Sequence, residues 1–194
     1  IFLINSVGQP LPLGMGIVTE LNIYEDINAN AVTGSMHIFD SNNIISNASL
    51  QGNERLVFKL STPGTSGHRC DTVDATEETG YPFHIYALTD TKILSETTMT
   101  YALHFCSREL FRNARTRVSR AYNGGLAESV VKILRDKDGL NSKKDIYYEQ
   151  TRNADKIVIP NLRPFEAIKI ISQKSLSKNA KGAGYYFYET TKGF

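Results

Sequence analysis

The chain has 194 residues and a mass of 21.6 kDa, with 22 Lys and Arg against 20 Asp and Glu, a length that suits one average domain or two small ones. Hydrophobic residues at 41% and charged residues at 22% exclude a disordered chain. No apolar run exceeds four residues, as in Ile1–Ile4, far short of the ~20 that a membrane helix needs. Two cysteines, Cys70 and Cys106, exclude a disulfide scaffold and a four-ligand zinc site. A basic-then-apolar leader is absent, so nothing argues for secretion. The chain opens at Ile1 and is expected to be a fragment of a longer protein.

The first ~107 residues read as antiparallel β-structure. Ile17, Thr19, Leu21 and Ile23 alternate with polar neighbours in 17–25, and Val32, Met36 and Ile38 share a face in 32–39. Leu56, Phe58 and Leu60 do the same in 55–61; a further strand is expected over 83–91. In 97–106 the run Met99, Tyr101, Leu103, Phe105 is the cleanest alternation in the chain. Period two with one apolar face marks strands packed on one side. Short strands at close spacing predict a small barrel or sandwich. Turns fall at Asp26–Asn30, Asn42-Asn43 and Gly52-Asn53, and 41–48 has room for one short helix. The polar stretch 62–80 (TPGTSGHRCDTVDATEETG) shows no apolar period. It is expected to be a protruding loop outside the barrel core.

Beyond residue 107 the periodicity turns helical. Ser107 is placed to cap a helix over 108–116. Leu126, Val130, Ile133 and Leu134 fall at i, i+4, i+7 and i+8 after Gly124-Gly125. A third helix is expected after Pro160-Asn161, with Pro164 in its first turn, where a missing N–H costs nothing. Strands are expected near 146–150, 156–159 and 184–190, the last ending in a turn at Thr191-Lys192-Gly193. The chain therefore divides into a β domain at 1–107 and an α+β domain at 108–194.

Charge is uneven. Residues 1–104 carry 4 Lys and Arg against 11 Asp and Glu, and residues 105–194 carry 18 against 9. Such asymmetry bears on partners rather than on fold. Arg108, Arg112 and Arg115 fall on one helical face, followed by Arg117 and Arg120. Arginine suits carboxylate and phosphate partners. Aromatic residues interleaved with these arginines are few, which disfavours single-strand stacking.

Catalytic patterns are missing. Nucleophile elbow, phosphate loop, zincin and paired CxxC arrangements do not occur. His37, His84 and His104 lie in strands, with no carboxylate spacing to complete a metal site. Cys106 and His104 sit at i and i+2 on one strand, ~7 Å apart, with no orienting third group. Asp71, Asp74, Glu77 and Glu78 lack the alternating ligand pattern of a calcium loop. No catalytic, cofactor-binding or metal-binding residue is assigned, and no cofactor is expected.

Five stretches carry a resemblance: VTELNIYEDINANAVTGSMHIFDSNN, GNERLVFKLSTPG, YALHFCSRELFRNARTRVSRAYNG, IPNLRPFEAIKIISQKS and GYYFYETTKGF. In this order they resemble the central baseplate hub protein of T-even-type contractile-tailed bacteriophages. The wider kin are the hubs of simpler phage tails and contractile injection systems. The resemblance implies a non-enzymatic structural subunit, found in the virion's tail baseplate and made in the host cytoplasm. It implies a homotrimeric ring that joins the tail tube protein to the central spike, among baseplate wedge components and without a membrane partner. It implies small tube-like barrels, of which this chain would hold the first. DNA would pass through the tube without being specifically bound. Glu20, Asp26 and Asp90 are then expected to face the lumen. Arg108, Arg112, Arg115, Arg117 and Arg120 are expected to dock on an acidic protein surface. The alternative reading is an oligonucleotide-binding barrel with a basic accessory domain. A cell-wall hydrolase would need a carboxylate pair in a cleft, which nothing in the sequence indicates.

Overall fold

The computed structural model describes residues 1–14, 16–44, 50–61, 72–79, 81–179 and 184–194. They form two compact units, Ile1–Tyr24 with Val32–Arg108, and Glu25–Ala31 with Glu109–Phe194. The segment Glu25–Ala31, read from sequence as part of the β domain, belongs to the second unit. Among the described residues no helix is long and apolar enough to cross a membrane.

The first unit is an antiparallel sheet. Its strands are β1 (Phe2–Ile4), β2 (Pro10–Pro12), β3 (Val18–Tyr24), β4 (Thr33–Asp40), β5 (Arg55–Ser61), β6 (Thr72–Ala75), β7 (Phe83–Ile93) and β8 (Met99–Cys106). They run in the order β2-β1-β5-β7-β8-β4-β3, with β6 paired to β5. Alternation holds where it was expected: Tyr101, Leu103 and Phe105 are buried, opposite Ile38, Met36 and Gly34 of β4. The rings of Phe58, Phe83 and Phe105 pack at centroid distances of 5.6, 5.1 and 6.3 Å. Gly34 leaves room for this cluster, because a Cβ there would run into the Phe105 ring and the Asn22 carbonyl.

The expected barrel is not closed by backbone hydrogen bonds among the described residues; β2 and β3 end the sheet. The reason at one end is chemical. Leu13 N donates to Ile1 O and Asn5 N to Gln9 O, so the odd positions of this hairpin face each other. Pro10 and Pro12 therefore turn outward, where neither has an N–H to offer another strand.

A second correction concerns 62–80. Residues 62–71 and 80, Cys70 and Asp71 among them, lie outside the described residues, but Thr72–Ala75 is a strand. Ala75 is buried opposite Phe58. Asp74 pairs with Lys59 at 2.9 Å, and Glu77 with Arg55 at 2.7 Å. The Lys59 ammonium, then the Thr76 hydroxyl, hold the Asp74 carboxyl below its ordinary range. Two of the four carboxylates weighed as calcium ligands, Asp74 and Glu77, are thus paired with cations of β5. The helix expected over 41–48 falls largely outside the described residues.

The second unit holds α1 (Arg108–Arg115) from Glu109 onward, β9 (Val118–Gly125), α2 (Leu126–Arg135), β10 (Ala154–Leu162) and α3 (Pro164–Lys174), with β9 and β10 forming a two-stranded ribbon. Leu126, Ile133 and Leu134 of α2 pack with Phe165, Ile168 and Ile171 of α3 in one core. Helix ends are capped from elsewhere in the unit. Thr151 Oγ1 accepts from the N–H groups of Leu126 and Ala127 at 3.1 and 3.4 Å. Buried Asn113 accepts from Phe165 N at 2.9 Å, and Glu166 reaches back to Arg163 N at 3.0 Å. The strands expected at 146–150 and 184–190 form no ladder; isolated bridges join Asp145 to Gly193 and Thr151 to Ser177.

Candidate assembly surface

The arginine series does not form a continuous face on one helix. Arg112 turns into its own unit, where Nε donates to Gly139 O at 2.8 Å and Nη2 to Lys137 O at 3.3 Å. Arg115 lies over the Phe111 ring, 4.3 Å from its centroid. Arg117 and Arg120 lie beyond α1 and face Glu166 at 3.9 Å and Asp136 at 3.5 Å. Arg108 belongs to the first unit and is half-buried. Sequence spacing placed Arg108, Arg112 and Arg115 on one face of α1, with Arg117 and Arg120 following, but could not show that carbonyls 25 and 27 residues away would claim Arg112.

The three acids are dispersed too. Glu20 is exposed on the edge strand β3, where Oε1 accepts from Asn22 Nδ2 at 2.8 Å. Asp90 is exposed on β7 with φ 54°. Strands β8 and β4 lie between β7 and β3, a span of about 14 Å at ordinary strand spacing. Asp26 sits in the other unit and accepts from Asn28 N at 2.8 Å.

The strand histidines do not converge on one another. His104 lies opposite Ser35 and Ala87 and within 2.8 Å of Thr89 Oγ1, whereas His84 lies opposite Cys106 and His37 opposite Ala102. Among the described residues no group of three His, Cys, Asp or Glu is placed to hold a metal ion.

The largest feature of the second unit is one the sequence reading treated only as a strand. Residues 145–152 run between two other segments and are bound to both by main-chain hydrogen bonds. Phe194 N donates to Asp145 O at 2.9 Å, Tyr147 N to Phe194 O at 2.7 Å, and Arg152 N to Leu176 O at 2.8 Å. Along 185–189 the side chains alternate. Tyr185, Phe187 and Glu189 turn inward; Tyr186 and Tyr188 turn out. Phe187 stacks on Phe194 at 5.3 Å and leans on Phe165 at 5.7 Å.

The result is a cavity of about 460 Å³ whose walls include Val130, Leu134, Ile146, Tyr148, Tyr185 and Phe187. Two polar groups in its wall are hydrogen-bonded within the unit: Glu149 Oε1 accepts from Ser177 Oγ at 2.5 Å, and Ser175 Oγ donates to Ile171 O at 2.8 Å. The Tyr185 hydroxyl donates to Gln150 O at 3.0 Å, and burial, then the Glu149 charge, push its phenol pKa up. Tyr147 and Tyr186 stand on this surface 73% and 68% exposed, with Tyr148 at 52% and Tyr188 at 40%. Tyrosine combines a large apolar contact area with a polar tip, which suits it to protein interfaces.

No family model matches the chain, and no curated protein matches it. Among solved structures it is similar to an E. coli component of the type VI secretion system, itself described as structurally similar to the bacteriophage T4 tail proteins gp27 and gp5. The TM-score is 0.46 at 13% identity, over 81% of this chain and 42% of that one. The chain thus spans less than half the length of that structure.

Proposed function

We propose that this chain is a structural subunit of the baseplate hub of a contractile phage tail or a kindred injection machine. It acts by binding neighbours and not by catalysis. In this reading three copies form a ring that joins the tail tube to the central spike, with wedge components outside and DNA passing through unbound. The protein resides in the virion's tail baseplate. The ordered resemblance of five stretches suggests the family. The observation that carries an assembly role is the tyrosine surface of the second unit: four tyrosines exposed by 40% or more around an apolar cavity. Exposed apolar surface of this kind marks contact sites. Charge adds support. Counted by compact unit, the first holds 5 Lys and Arg against 9 Asp and Glu, and the second 17 against 11.

Mass photometry of the full-length protein tests the reading. A closed trimer is expected, and the double substitution Tyr147→Ser with Tyr186→Ser should shift it toward monomer while leaving the circular dichroism unchanged. A monomer that binds duplex DNA at moderate salt would replace this reading with the oligonucleotide-binding one.

A further inference from the structure

The hairpin that joins β7 to β8 ends in an apolar tip. Ile93 pairs with Met99 on the last rung, and Leu94 N donates to Thr98 O at 2.9 Å. The backbone of the turn is thus held, yet Ile93 is 77% exposed and Leu94 59%. The pairing register shifts between Thr89 and Lys92, and within that shift Asp90 takes a left-handed φ of 54°. An irregularity of this kind bends a strand and re-aims the residues beyond it. A non-glycine residue held at positive φ is a local cost that clusters at functional sites.

A single exposed apolar residue needs no explanation. Val7 in the turn between β1 and β2 is such a case, with only Asn, Ser, Gly and Gln within two residues of it. Ile93 and Leu94 differ on two counts. They are adjacent, and they stand among Asp90, Lys92 and Glu96, two acids against one lysine.

The second unit holds a hole to match. The cavity of about 460 Å³ walled by Val130, Leu134, Ile146 and Phe187 lies within the range of about 300–1,000 Å³ found for sites that take a compact apolar insert. Exposed Tyr147 and Tyr186 belong to the same wall. The exposed charges along 143–152, at 178 and along 184–194 are Lys143, Arg152, Lys178 and Lys192 against Asp145 and Glu149. The apolar tip therefore carries a negative excess and the apolar hole a positive one, the complementarity that selects a partner.

We propose that Ile93 and Leu94 of one copy seat in the tyrosine-walled cavity of a second copy of this chain. The inference rests on the assembly role proposed above and names a contact that carries it. Tip and hole are different patches, so the contact is head-to-tail, the kind that closes into a ring where the rotation between copies permits.

The test follows the full-length protein by mass photometry and sedimentation velocity. The double substitution Ile93→Ser with Leu94→Ser removes the tip, and Tyr147→Ser with Tyr186→Ser spoils the hole. Each double variant should associate about 100-fold more weakly than wild type, about tenfold for each anchoring side chain, with unchanged circular dichroism. Val7→Ser should assemble like wild type. Between them the two double variants keep one intact tip and one intact hole, so an equimolar mixture should form a 1:1 pair that grows no further. A wild-type oligomer that the tip variant also forms, a mixture that yields no pair, or an equal loss from Val7→Ser would overturn this contact and leave the assembly role standing. A wild type that stays monomeric at every concentration would overturn both. A benzophenone photo-crosslinker placed at Leu94 reads the contact directly. Adducts between chains within 145–152 or 184–190 are expected, and adducts only elsewhere or within one chain would overturn it.

Discussion

Lys144 Nζ donates to Glu189 Oε1 at 2.5 Å, with 4% of the lysine side chain exposed and none of the glutamate's. A second carboxylate shares the same ammonium: Glu109 Oε2 lies 4.0 Å away, and its Oε1 accepts from Ser142 Oγ at 2.7 Å. One buried lysine thus serves two buried acids drawn from α1 and from the segment before Phe194. Breaking such a group by removing one partner strands the rest, typically at a cost of about 3–5 kcal/mol. Lys144→Met should lose that much in urea denaturation. Glu109→Gln keeps the acceptor for Ser142 and removes the surplus charge, so it should cost about 1 kcal/mol or less. Equal effects from the two substitutions would show that the cluster is not organised around the lysine.

Alkaline stability should depend on Tyr101. Burial first, then the Asp40 charge and the 3.4 Å hydrogen bond to Asp40 Oδ2, raise its phenol pKa far above the ordinary value. The neutral form is the one folding favours, so its contribution is complete below the unfolded pKa of about 10. That contribution falls as pH rises from there toward the folded value. Urea midpoints measured at pH 8 and pH 10.5 should drop steeply for wild type and less steeply for Tyr101→Phe. Parallel slopes would contradict the assignment.

Gly34→Ala should destabilise the first unit by about 1–3 kcal/mol. The added Cβ meets the Phe105 ring and the Asn22 carbonyl, and a packed interior has no slack to absorb it. Guanidinium unfolding of the purified variant measures the loss, and a midpoint within error of wild type would mean the strands separate easily.

Arg112 and Arg115 should behave differently despite lying three residues apart on one helix. Arg112→Ala removes donors to two carbonyls and should cost about 1–3 kcal/mol. Arg115→Ala loses only a stacking contact on Phe111, worth ~0.5–1 kcal/mol at an exposed site. Should Arg112→Ala leave stability intact and yet impair assembly, the docking face expected from its spacing would regain its place.

Period-two and period-3.6 patterns made the long elements readable. Among the described residues, strands β3, β4, β5, β7 and β8 and helices α2 and α3 lie where they were expected, and α1 begins directly after Ser107, its expected cap. Elements that bury few side chains left no such trace. In β9 only Val118 and Tyr122 are buried, among arginine, serine, asparagine and glycine, and β6 buries only Ala75. Segment 184–190 deceived in the other direction: its side chains alternate, but among the described residues it joins no ladder. Spacing sets Arg120 after the arginines of α1, and its 3.5 Å approach to Asp136 arises only when β9 folds beside α2.

The two prolines at the edge of the sheet have a consequence for how copies of this chain can meet. A strand arriving at β2 finds carbonyls but no donors at Pro10 and Pro12, whereas β3, the other end, contains no proline. Copies therefore cannot chain together by laying the β3 of one along the β2 of the next, which is how fibres propagate. Joining through these ends leaves only β3 against β3, a contact that is spent after two molecules. The ring proposed above would then close through side-chain surfaces or with the help of a strand from another protein, and two missing hydrogens keep β2 from templating another strand.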